Sequence, residues 1–369
     1  MKILVTGSNG FVGKNLITTL HSQGYEVLTF DKENELEELM TLTKEIDFVV
    51  HLAGINRPIE TKEFYEGNMG LSEHLVAALE ANDNKAPILV SSSIQALLDN
   101  DYGKSKLGGE NVLREHAAKN NSEVLVYRFS NLFGKWSQPN YNTVVATWCH
   151  NITRDIPLVM NDPSVELNLM YIDDVIEEII NAIKGKGNHV EQDIYTVSVS
   201  YDVTLQLIYD LLHKFVDSRN SNFIPNMAAG FETKLYSTYL SFLPKDRFSY
   251  PLKMNIDGRG SFTEFIKSDD RGQVSINISK PGITKGQHWH HSKNEKFLVV
   301  KGNGVIQFRN IFSEDVIEYE VNGDVLEVVD IPTGYTHNIV NKGTEDMVTV
   351  MWVNEPFDPN HPDTFYEEV

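Results

Sequence analysis

The sequence of 369 residues contains a single cysteine, Cys149, and has no long apolar run. One cysteine excludes a disulfide within the chain and is typical of proteins from a reducing compartment. No segment approaches the roughly 18 consecutive apolar residues that a membrane-spanning helix needs. The opening apolar run, Met1–Val5, is too short for a secretory signal, and glycines follow it. We therefore expect a soluble, cytoplasmic protein without membrane contact.

Positive charge is also scarce in this chain. It carries 32 Lys and Arg residues against 52 Asp and Glu residues, which gives a net charge of −20. This balance argues against nucleic acid or an anionic membrane surface as a partner. The net negative charge of the protein would repel a phosphate-bearing substrate, so such a substrate would need a local pocket of basic residues. The length is sufficient for two domains, each with its own core.

The first two thirds of the chain alternate short apolar strands with helical patterns, which is typical of an α/β fold with a parallel sheet. Continuous apolar runs indicate strands that are covered on both faces. The predicted strands are Lys2–Thr6, Glu26–Phe30, Phe48–Leu52, Ile88–Ser91 and Leu125–Phe129. The predicted helices include Gly10–Gln23, Leu71–Ala81 and Tyr102–Lys119. We expect a Rossmann-type, doubly wound parallel sheet here.

The pattern changes near Pro251 to short alternating strands without long helices, which indicates an all-β domain. The predicted strands are Val274–Ile278, Lys296–Val300, Gly304–Arg309 and Met347–Trp352. We place the boundary within residues 242–251 and expect domains at residues 1–245 and 252–369. The closing segment, residues 355–369, is expected to form an arm or an interface strand.

A glycine-rich segment, Gly7–Gly13, connects the first predicted strand to the first predicted helix. Glycines permit a tight turn and a close backbone approach to a pyrophosphate, while the helix N-terminus offers amide donors. Asp31 ends the second strand and favours NAD through a ribose 2′-hydroxyl, whereas Lys32 would accept the 2′-phosphate of NADP. The choice between the two cofactors stays open. We expect a dinucleotide to contact Gly7, Asn9, Gly10, Phe11, Val12 and Gly13, with Asp31 or Lys32 at its ribose.

Tyr102 and Lys106 lie four positions apart in a predicted helix and therefore share one face. A nearby ammonium lowers the pKa of a phenol, which would suit Tyr102 for protonating a carbonyl oxygen as hydride arrives. A serine run, Ser91–Ser93, ends the preceding strand, and a hydroxyl there could bind the same carbonyl. We assign this role to Ser93, with Ser92 as the alternative.

Together these residues resemble the extended short-chain dehydrogenase/reductase family over the first two thirds of the chain. His51–Gly54 resembles the segment that follows the fourth strand of that family, and Asn68 resembles its helix asparagine. The spacing of nine positions from Ser93 to Tyr102 is shorter than is usual in the family. The resemblance implies NADP(H), with NAD as the alternative, and a nucleotide sugar that is reduced or rearranged. It implies cofactor contacts from Leu52, Ala53, Gly54, Asn68, Tyr102 and Lys106.

Two histidine clusters occur in the last third of the chain. The first holds His288, His290 and Glu295, and the second holds His337. His288 and His290 are two positions apart, so both point to one face of a strand, and neighbouring strands could add the other two side chains. Imidazole and carboxylate are the usual ligands of a borderline divalent metal, most simply zinc. We therefore predict a metal site with these four ligands.

Gly282–Glu295 and Pro332–Asn341 resemble the two metal motifs of the cupin family, which implies a jelly-roll β-barrel. Asp257–Glu264 and Gly282–His288 also resemble signatures of the dTDP-4-keto-sugar 3,5-epimerases. In those enzymes a histidine at the position of His288 removes a proton beside a ketone. The two resemblances disagree about His288, because a metal-bound imidazole has no free lone pair.

We interpret His288 as a metal ligand, so the proton would be removed by another group near the mouth of the barrel. Scattered basic residues would bind the diphosphate of the substrate. The candidates for the base are Lys296, His291 and Tyr335, and those for the diphosphate are Arg259, Lys285 and Arg271.

A ketosugar reductase joined to such a cupin resembles the bifunctional enzymes of capsular polysaccharide synthesis. This resemblance implies that the cupin domain epimerises C3 of a UDP-2-acetamido-2,6-dideoxy-4-hexulose. The N-terminal domain would then reduce the C4 ketone with NADPH to a UDP-2-acetamido-2,6-dideoxy-L-talose, a precursor of N-acetyl-L-fucosamine. Both families favour a homodimer. Two alternatives remain for the second domain: a metal-stabilised dimerisation or binding module, or a metal-dependent dioxygenase or isomerase that acts on another metabolite.

Overall fold

The computed structural model describes residues 1–228 and 230–369. The chain divides into two compact units, of which the N-terminal one consists of Met1–Leu212 and Gly230–Pro244. The C-terminal unit combines Lys245–Val369 with the segment that begins at His213 and precedes Gly230. Sequence patterns do not reveal this last assignment, because the segment continues a helix that begins in the first unit.

The N-terminal unit is built on a sheet of seven strands in the order β2-β1-β3-β4-β5-β9-β8, and β1 to β5 run parallel. A smaller sheet has the order β10-β7-β6. The strands are β1 Lys2–Thr6, β2 Glu26–Phe30, β3 Phe48–His51, β4 Ile88–Ser93, β5 Val124–Phe129, β6 Asn131–Phe133, β7 Glu166–Tyr171, β8 His189–Glu191, β9 Ile194–Tyr195 and β10 Tyr201–Thr204.

Helices cover both faces of the larger sheet. The helices are α1 Phe11–Ser22, α2 Glu38–Leu42, α3 Lys62–Phe64, α4 Leu71–Ala81, α5 Asp101–Asn120, α6 Val144–Ile152, α7 Ile172–Ile183, α8 Leu205–Ser221 and α9 Gly230–Ser241. Residues alternate along β1, so that Ile3 and Val5 pack with α1 and α7, whereas Leu4 packs with α2, α4 and α5. A π-helix spans Tyr65–Gly70, and short 3₁₀ helices span Ile94–Leu97 and Lys245–Arg247. This is the doubly wound architecture that the sequence predicts.

The chain reverses its direction of travel across the sheet at β1, since β2 lies on one side of β1 and β3 on the other. Ligands of such sheets bind outside the carboxyl ends of the strands at this switch point. Only α2 lies between β2 and β3. His51–Gly54 therefore follows the third strand of this sheet, whereas the segment that it resembles follows the fourth strand of the family.

The C-terminal unit contains two antiparallel sheets, in the orders β11-β12-β13-β20-β15-β18 and β17-β16-β19-β14-β21. The strands are β11 Met254–Asp257, β12 Gly260–Ser268, β13 Gly272–Ser279, β14 Thr284–Trp289, β15 Glu295–Lys301, β16 Asn303–Asn310, β17 Val316–Asn322, β18 Val328–Ile331, β19 Tyr335–Asn341, β20 Met347–Val353 and β21 Phe365–Tyr366. Phe297 of one sheet and Ile306 of the other belong to one buried apolar cluster. The predicted all-β character is confirmed.

The predicted strands and helices of both parts agree with the observed ones to within two residues at each end. The closing segment contributes β21, which pairs with β14 at His288 and Trp289. In residues 1–228 and 230–369, none of the helices combines the length and the apolar surface that a membrane crossing requires.

Leu89 tests the packing of the central strand β4, because its side chain is fully buried against α1 and α7. Leu89→Ala should lower the free energy of unfolding of the N-terminal unit by about 2–5 kcal/mol, since the change leaves a cavity. Leu97→Ala is the control, because Leu97 is exposed, and it should change stability by no more than about 0.5 kcal/mol. Denaturant unfolding measures both, and equal effects would contradict this packing.

Candidate active site and metal centre

The glycine-rich turn after β1 is shaped by close backbone contacts. Gly7 has φ +70°, and its amide donates to the carbonyl of Phe30 at 2.8 Å. A Cβ atom on Gly7 would lie 2.7 Å from the backbone nitrogen of Ala53, and one on Gly13 would lie 2.3 Å from the carbonyl oxygen of Gly7. Only glycine fits either position, so the turn stays tight enough for a phosphate to approach its backbone.

The first turn of α1 faces this loop. Gly10 is the N-cap residue, and no side chain caps the helix. The first amide groups of a helix have no partner within it, so those of Phe11, Val12 and Gly13 can donate to an anion. The backbone amides of these residues are therefore arranged so that they could bind the predicted pyrophosphate.

Asp31 is already engaged by the glycine-rich loop. Its Oδ2 accepts the amide of Asn9 at 2.6 Å and the hydroxyl of Ser8 at 3.3 Å, and its Oδ1 accepts the amide of Lys32. The Lys32 side chain is 84% exposed, with Glu33 3.9 Å away. The carboxylate thus holds the loop, while the neighbouring ammonium projects into solvent.

The carboxyl end of β3 is fixed by buried polar contacts. His51 Nδ1 lies 2.7 Å from Thr6 Oγ1, and its Nε2 lies 3.1 Å from Ser72 Oγ. Burial, reinforced by the positive charge of Lys106, lowers the pKa of His51 to about 3. His51 is therefore a neutral packing residue, and it orients the Leu52–Gly54 segment.

Asn68 holds the next part of the loop from the π-helix. Its side chain accepts the amide of Ile55 and donates to the Ile55 carbonyl, both at 2.9 Å, and it also donates to Ser105 Oγ. A Cβ on Gly54 would lie 2.6 Å from Asn68 Oδ1 and 2.8 Å from Lys106 Nζ. Because Gly54 has no side chain, Asn68 and Lys106 can both lie against it, next to the expected position of the cofactor.

The structure brings Ser93, Tyr102 and Lys106 together at the end of β4. The Ser93 hydroxyl lies near the Tyr102 phenol, and Lys106 Nζ donates to the carbonyl of Ser91 at 3.1 Å. Burial raises the pKa of Tyr102 although the nearby Ser93 hydroxyl opposes it, and burial lowers the pKa of Lys106 to about 8. The expected lowering of the Tyr102 pKa by Lys106 is wrong, because burial of the phenol dominates.

Alternation along β4 separates the two candidate serines. Ser92 points away from Tyr102 and donates to Glu110 Oε1 at 2.5 Å. Glu110 is fully buried on α5, and Arg128 binds its carboxylate through Nε at 3.0 Å and Nη2 at 2.6 Å. The geometry therefore favours Ser93 as the serine at the reacting centre and gives Ser92 a structural role.

In the C-terminal unit, His288, His290, Glu295 and His337 bring one ligand atom each to within 4.8 Å of the others. Glu295 Oε2 lies 3.1 Å from His337 Nε2 and 3.6 Å from His290 Nε2. These three atoms are buried without a hydrogen bond, which is the arrangement expected of ligand atoms that face a common cation. The donor set and its buried, unpartnered atoms fit a divalent metal.

The charge states of Glu295 and His288 suit metal binding. Burial opposes ionisation of Glu295, but the adjacent imidazoles of His290 and His337 outweigh it and lower the pKa of Glu295 to about 2. Burial and the neighbouring histidines lower the pKa of His288 to about 4. At neutral pH the site therefore presents a carboxylate and an uncharged His288 imidazole, the forms that bind metals.

A cavity of about 670 Å³ opens beside the quartet. His288, Glu295 and His337 line it together with the basic side chains of Arg259 and Lys285. Lys285 Nζ donates to Asn277 Oδ1 at 2.7 Å and to the carbonyls of Ile278 and Ser261 at 2.8 Å and 3.3 Å. Burial lowers the pKa of Lys285. Its amine is thus held by neutral acceptors inside the cavity.

A β-bulge in β14 explains why Lys285 and His288 line one cavity. Side chains three positions apart point to opposite faces of a regular strand. The pairing with β19 shifts register between Gly286 and His288, and Gly286 and Gln287 both have positive φ, at 103° and 67°. The bulge re-aims the strand and places His288 opposite His337.

Several predicted residues lie elsewhere. Lys296 neighbours Glu295 on β15 and so points to the other face, where it pairs with Asp330. Its assignment as the catalytic base is therefore wrong. The His291 ring packs against Trp289 and Phe365. The remaining candidates outside the cavity lining are Tyr335, which packs on the apolar cluster, and Arg271, which is 81% exposed beside Asp270.

Sequence reasoning missed two carboxylates that support the sites. Glu110 lies one helical turn after Lys106, and a lone acid on an amphipathic helix gives no signal of its burial. Asp363 lies in the closing segment and binds the loop that follows His290. Its distance in sequence from the histidine clusters hides this contact.

Gly13 provides a test of the cradle. In Gly13→Ala the new methyl group would meet the Gly7 carbonyl, so the loop must move away from the bound phosphates. We expect the nicotinamide cofactor to bind roughly 10- to 100-fold more weakly, since such overpacking costs about 1–3 kcal/mol. Gly70→Ala, whose Cβ would lie 3.7 Å from the Tyr65 carbonyl, should leave binding unchanged. NADPH fluorescence titration measures both, and equal affinities would contradict the cradle.

Residues 3–198 match the NAD dependent epimerase/dehydratase family, and residues 255–365 match the polysaccharide biosynthesis C-terminal domain. UDP-2-acetamido-2,6-beta-L-arabino-hexul-4-ose reductase of Pseudomonas aeruginosa is 44% identical over 366 residues, which is 99% of this chain and 98% of that protein. The dTDP-4-dehydro-6-deoxyglucose reductase of Escherichia coli is 21% identical and is matched by 57% of this chain over 80% of its own length.

Two solved structures are similar in different degrees. The capsular polysaccharide assembling protein CapF from Staphylococcus aureus has a TM-score of 0.95 and 55% identity, with all of both chains covered. UDP-glucuronic acid 4-epimerase from Bacillus cereus has a TM-score of 0.56 and 18% identity over 66% of this chain and 98% of that one, a likeness of fold alone. The family implies a nicotinamide cofactor, in agreement with the glycine-rich cradle. With the match over residues 3–198 and the full-length relative, the chain belongs to the NAD dependent epimerase/dehydratase family.

Proposed function

We propose that this chain is an NADPH-dependent reductase of a UDP-linked 4-keto sugar in capsular polysaccharide synthesis. The observation that carries the proposal is the meeting of Ser93, Tyr102 and Lys106 beside the glycine-rich cradle. The relative from Pseudomonas aeruginosa, a reductase of a UDP-2-acetamido-2,6-hexulose, supports the substrate class. The substrate would be a UDP-2-acetamido-2,6-dideoxy-4-hexulose and the product a UDP-2-acetamido-2,6-dideoxy-L-talose.

The reduction adds a hydride to C4 and a proton to its oxygen. The nicotinamide supplies the hydride when bound. Tyr102 supplies the proton, and its raised pKa keeps the phenol protonated at neutral pH until the carbonyl oxygen gains negative charge. Ser93 donates to the same oxygen and holds it near the phenol. Lys106, with a pKa of about 8, contributes positive charge next to the cofactor.

We propose NADP(H) as the cofactor because of the two residues after β2. Asp31 already accepts the loop amide of Asn9 and the hydroxyl of Ser8. The exposed ammonium of Lys32 is only loosely paired with Glu33 and can turn toward a 2′-phosphate. Lys32 therefore favours the phosphorylated ribose.

Tyr102→Phe should lower kcat for reduction by about 10²–10⁴-fold while NADPH still binds, because the variant lacks the proton that the oxygen needs. Ser93→Ala should lower kcat by roughly 10²-fold through loss of one donor to that oxygen. Ser92→Ala is the matched control, and it should lower stability by about 1–3 kcal/mol with little change in kcat, since Glu110 loses a buried donor. Steady-state and unfolding measurements separate the three. Full activity in Tyr102→Phe would overturn the assignment.

We propose that the C-terminal unit is a cupin jelly roll that holds zinc through His288, His290, Glu295 and His337 and epimerises C3 of the same substrate. Three imidazoles and one carboxylate lie close together, and buried ligand atoms of this group have no hydrogen-bond partner, which supports a bound metal. A bound metal would supply positive charge and would cross-link the strands. The alternative, a module that the metal only stabilises, uses the same ligands, so exchange at C3 must decide between them.

Epimerisation at C3 requires removal of a proton next to the C4 ketone and its return from the opposite face. The electron pair of the broken C–H bond then moves onto the ketone oxygen, and nearby cations stabilise the enolate. Arg259 brings such charge into the cavity. Among the groups that line the cavity, we consider His288 and Lys285 for moving the proton. We propose His288 as a ligand, which leaves this role to the neutral amine of Lys285, a form that its lowered pKa favours.

The roles of His288 and His290 can be separated by measuring two properties of each variant. If both are ligands, His288→Asn and His290→Asn should each weaken zinc binding at least about tenfold and should lose deuterium uptake at C3 together. The measurements are zinc competition with a chromogenic chelator and NMR of the substrate in heavy water without NADPH. A His288→Asn protein that retained zinc but lost exchange would make His288 the base.

Lys285→Met should abolish exchange while zinc stays bound. Metal removal that left exchange intact would make the metal purely structural.

A further inference from the structure

Asp363 is the anchor of the loop that joins β14 to β15. Its Oδ1 accepts the amide of His291 at 3.0 Å, and its Oδ2 accepts the amides of Ser292 and Lys293 at 2.9 Å and 3.0 Å and the Ser292 hydroxyl at 2.9 Å. Three consecutive amides that converge on one anion form a nest. These amides outweigh the effect of burial and hold the pKa of Asp363 well below its usual range. The loop between two proposed ligands is therefore closed around this carboxylate.

The backbone of Asp363 contacts one of those ligands directly. Its carbonyl oxygen lies 2.5 Å from His290 Nδ1, while His290 Nε2 faces Glu295 at 3.6 Å. A hydrogen bond from Nδ1 to a carbonyl sets the tautomer and leaves the Nε2 lone pair for a metal. Asp363 adopts φ +38°, a left-handed conformation that costs energy in a residue other than glycine. Its position is thus determined by these contacts and not by its own preference.

The segment around Asp363, residues 362–369, forms a strap along the strands that carry the ligands. Its strand β21 pairs with β14 at His288. Its Glu367 amide donates to the Gln287 carbonyl at 3.0 Å, and its Glu367 carbonyl accepts the hydroxyl of Thr336, which precedes His337. At the other end, Lys293 Nζ donates to the Pro362 carbonyl at 2.5 Å. The strap therefore contacts each proposed histidine ligand or its direct neighbour.

We propose that Asp363 is a positioning residue for the metal centre, which it assembles by closing the 291–293 loop and fixing the His290 imidazole. The proposal rests on the metal site proposed above. Nothing in the strap offers a metal ligand to the quartet, so its effect is exerted through the orientation of His290 and the loop. Removing such a supporting contact typically weakens metal binding 10- to 100-fold.

The test compares Asp363→Ala and Asp363→Asn with the wild-type chain, using Zn²⁺ competition and the visible spectrum of bound Co²⁺. Asp358→Asn is the matched control, because Asp358 is an acid of the preceding segment whose carboxylate contacts His361 and Asn360. We expect zinc to bind roughly 10- to 100-fold more weakly in Asp363→Ala. Asp363→Asn keeps the size but puts an amide among donors, so it should also weaken binding and should alter the Co²⁺ spectrum. Asp358→Asn should match the wild type.

Unchanged zinc affinity and an unchanged Co²⁺ spectrum in both Asp363 variants would overturn the proposal while leaving the metal site intact. A wild-type chain that bound no zinc would instead overturn the metal site. Amide hydrogen exchange of the metal-free proteins then decides the role of the strap, because residues 291–293 should exchange at least about tenfold faster in Asp363→Ala. Equal exchange rates would show that Asp363 does not hold the loop.

Discussion

The carboxylate of Glu295 is only 11% exposed and lies between two imidazoles. A buried charge is tolerated only where opposite charge or a metal surrounds it, and leaving it alone costs several kcal/mol. Glu295 belongs to the six-stranded sheet, whereas His288 and His337 belong to the five-stranded sheet. The charge can therefore be compensated only when the two sheets meet. If a metal binds there, the stability of the whole C-terminal unit would depend on the concentration of that metal.

The N-terminal unit uses the backbone in a comparable way. Gly7 turns the chain where the sheet changes direction, and Gly286 with Gln287 bends β14 beside the cavity. In both places a residue with positive φ interrupts the extended backbone. The glycine there lies so close to a neighbouring backbone segment that a side chain would not fit. The strands supply rigid positions, and the irregular residues direct chemical groups toward a ligand.

Much of this organisation could be predicted because it depends on local periodicity. Alternating apolar patterns locate β1 to β5 and the antiparallel strands, and spacing of two places His288 and His290 on one face. Lys296 could have been excluded by the same alternation once Glu295 was assigned inward. The Tyr102 pKa could not be predicted, since it depends on how far the fold buries the phenol. Asp363 and the bulge in β14 depend on contacts and register between distant segments, which a single sequence does not encode in any local pattern.

Ser92, Arg128 and Glu110 tie β4 and β5 to α5 on the side opposite Tyr102. This buried ionic clamp joins the strand that carries Ser93 to the helix that carries Tyr102, in addition to the chain of nine positions that connects the two residues. The clamp residues lie outside that connection. A change in the length of the connection would therefore leave the attachment of the helix to the sheet intact.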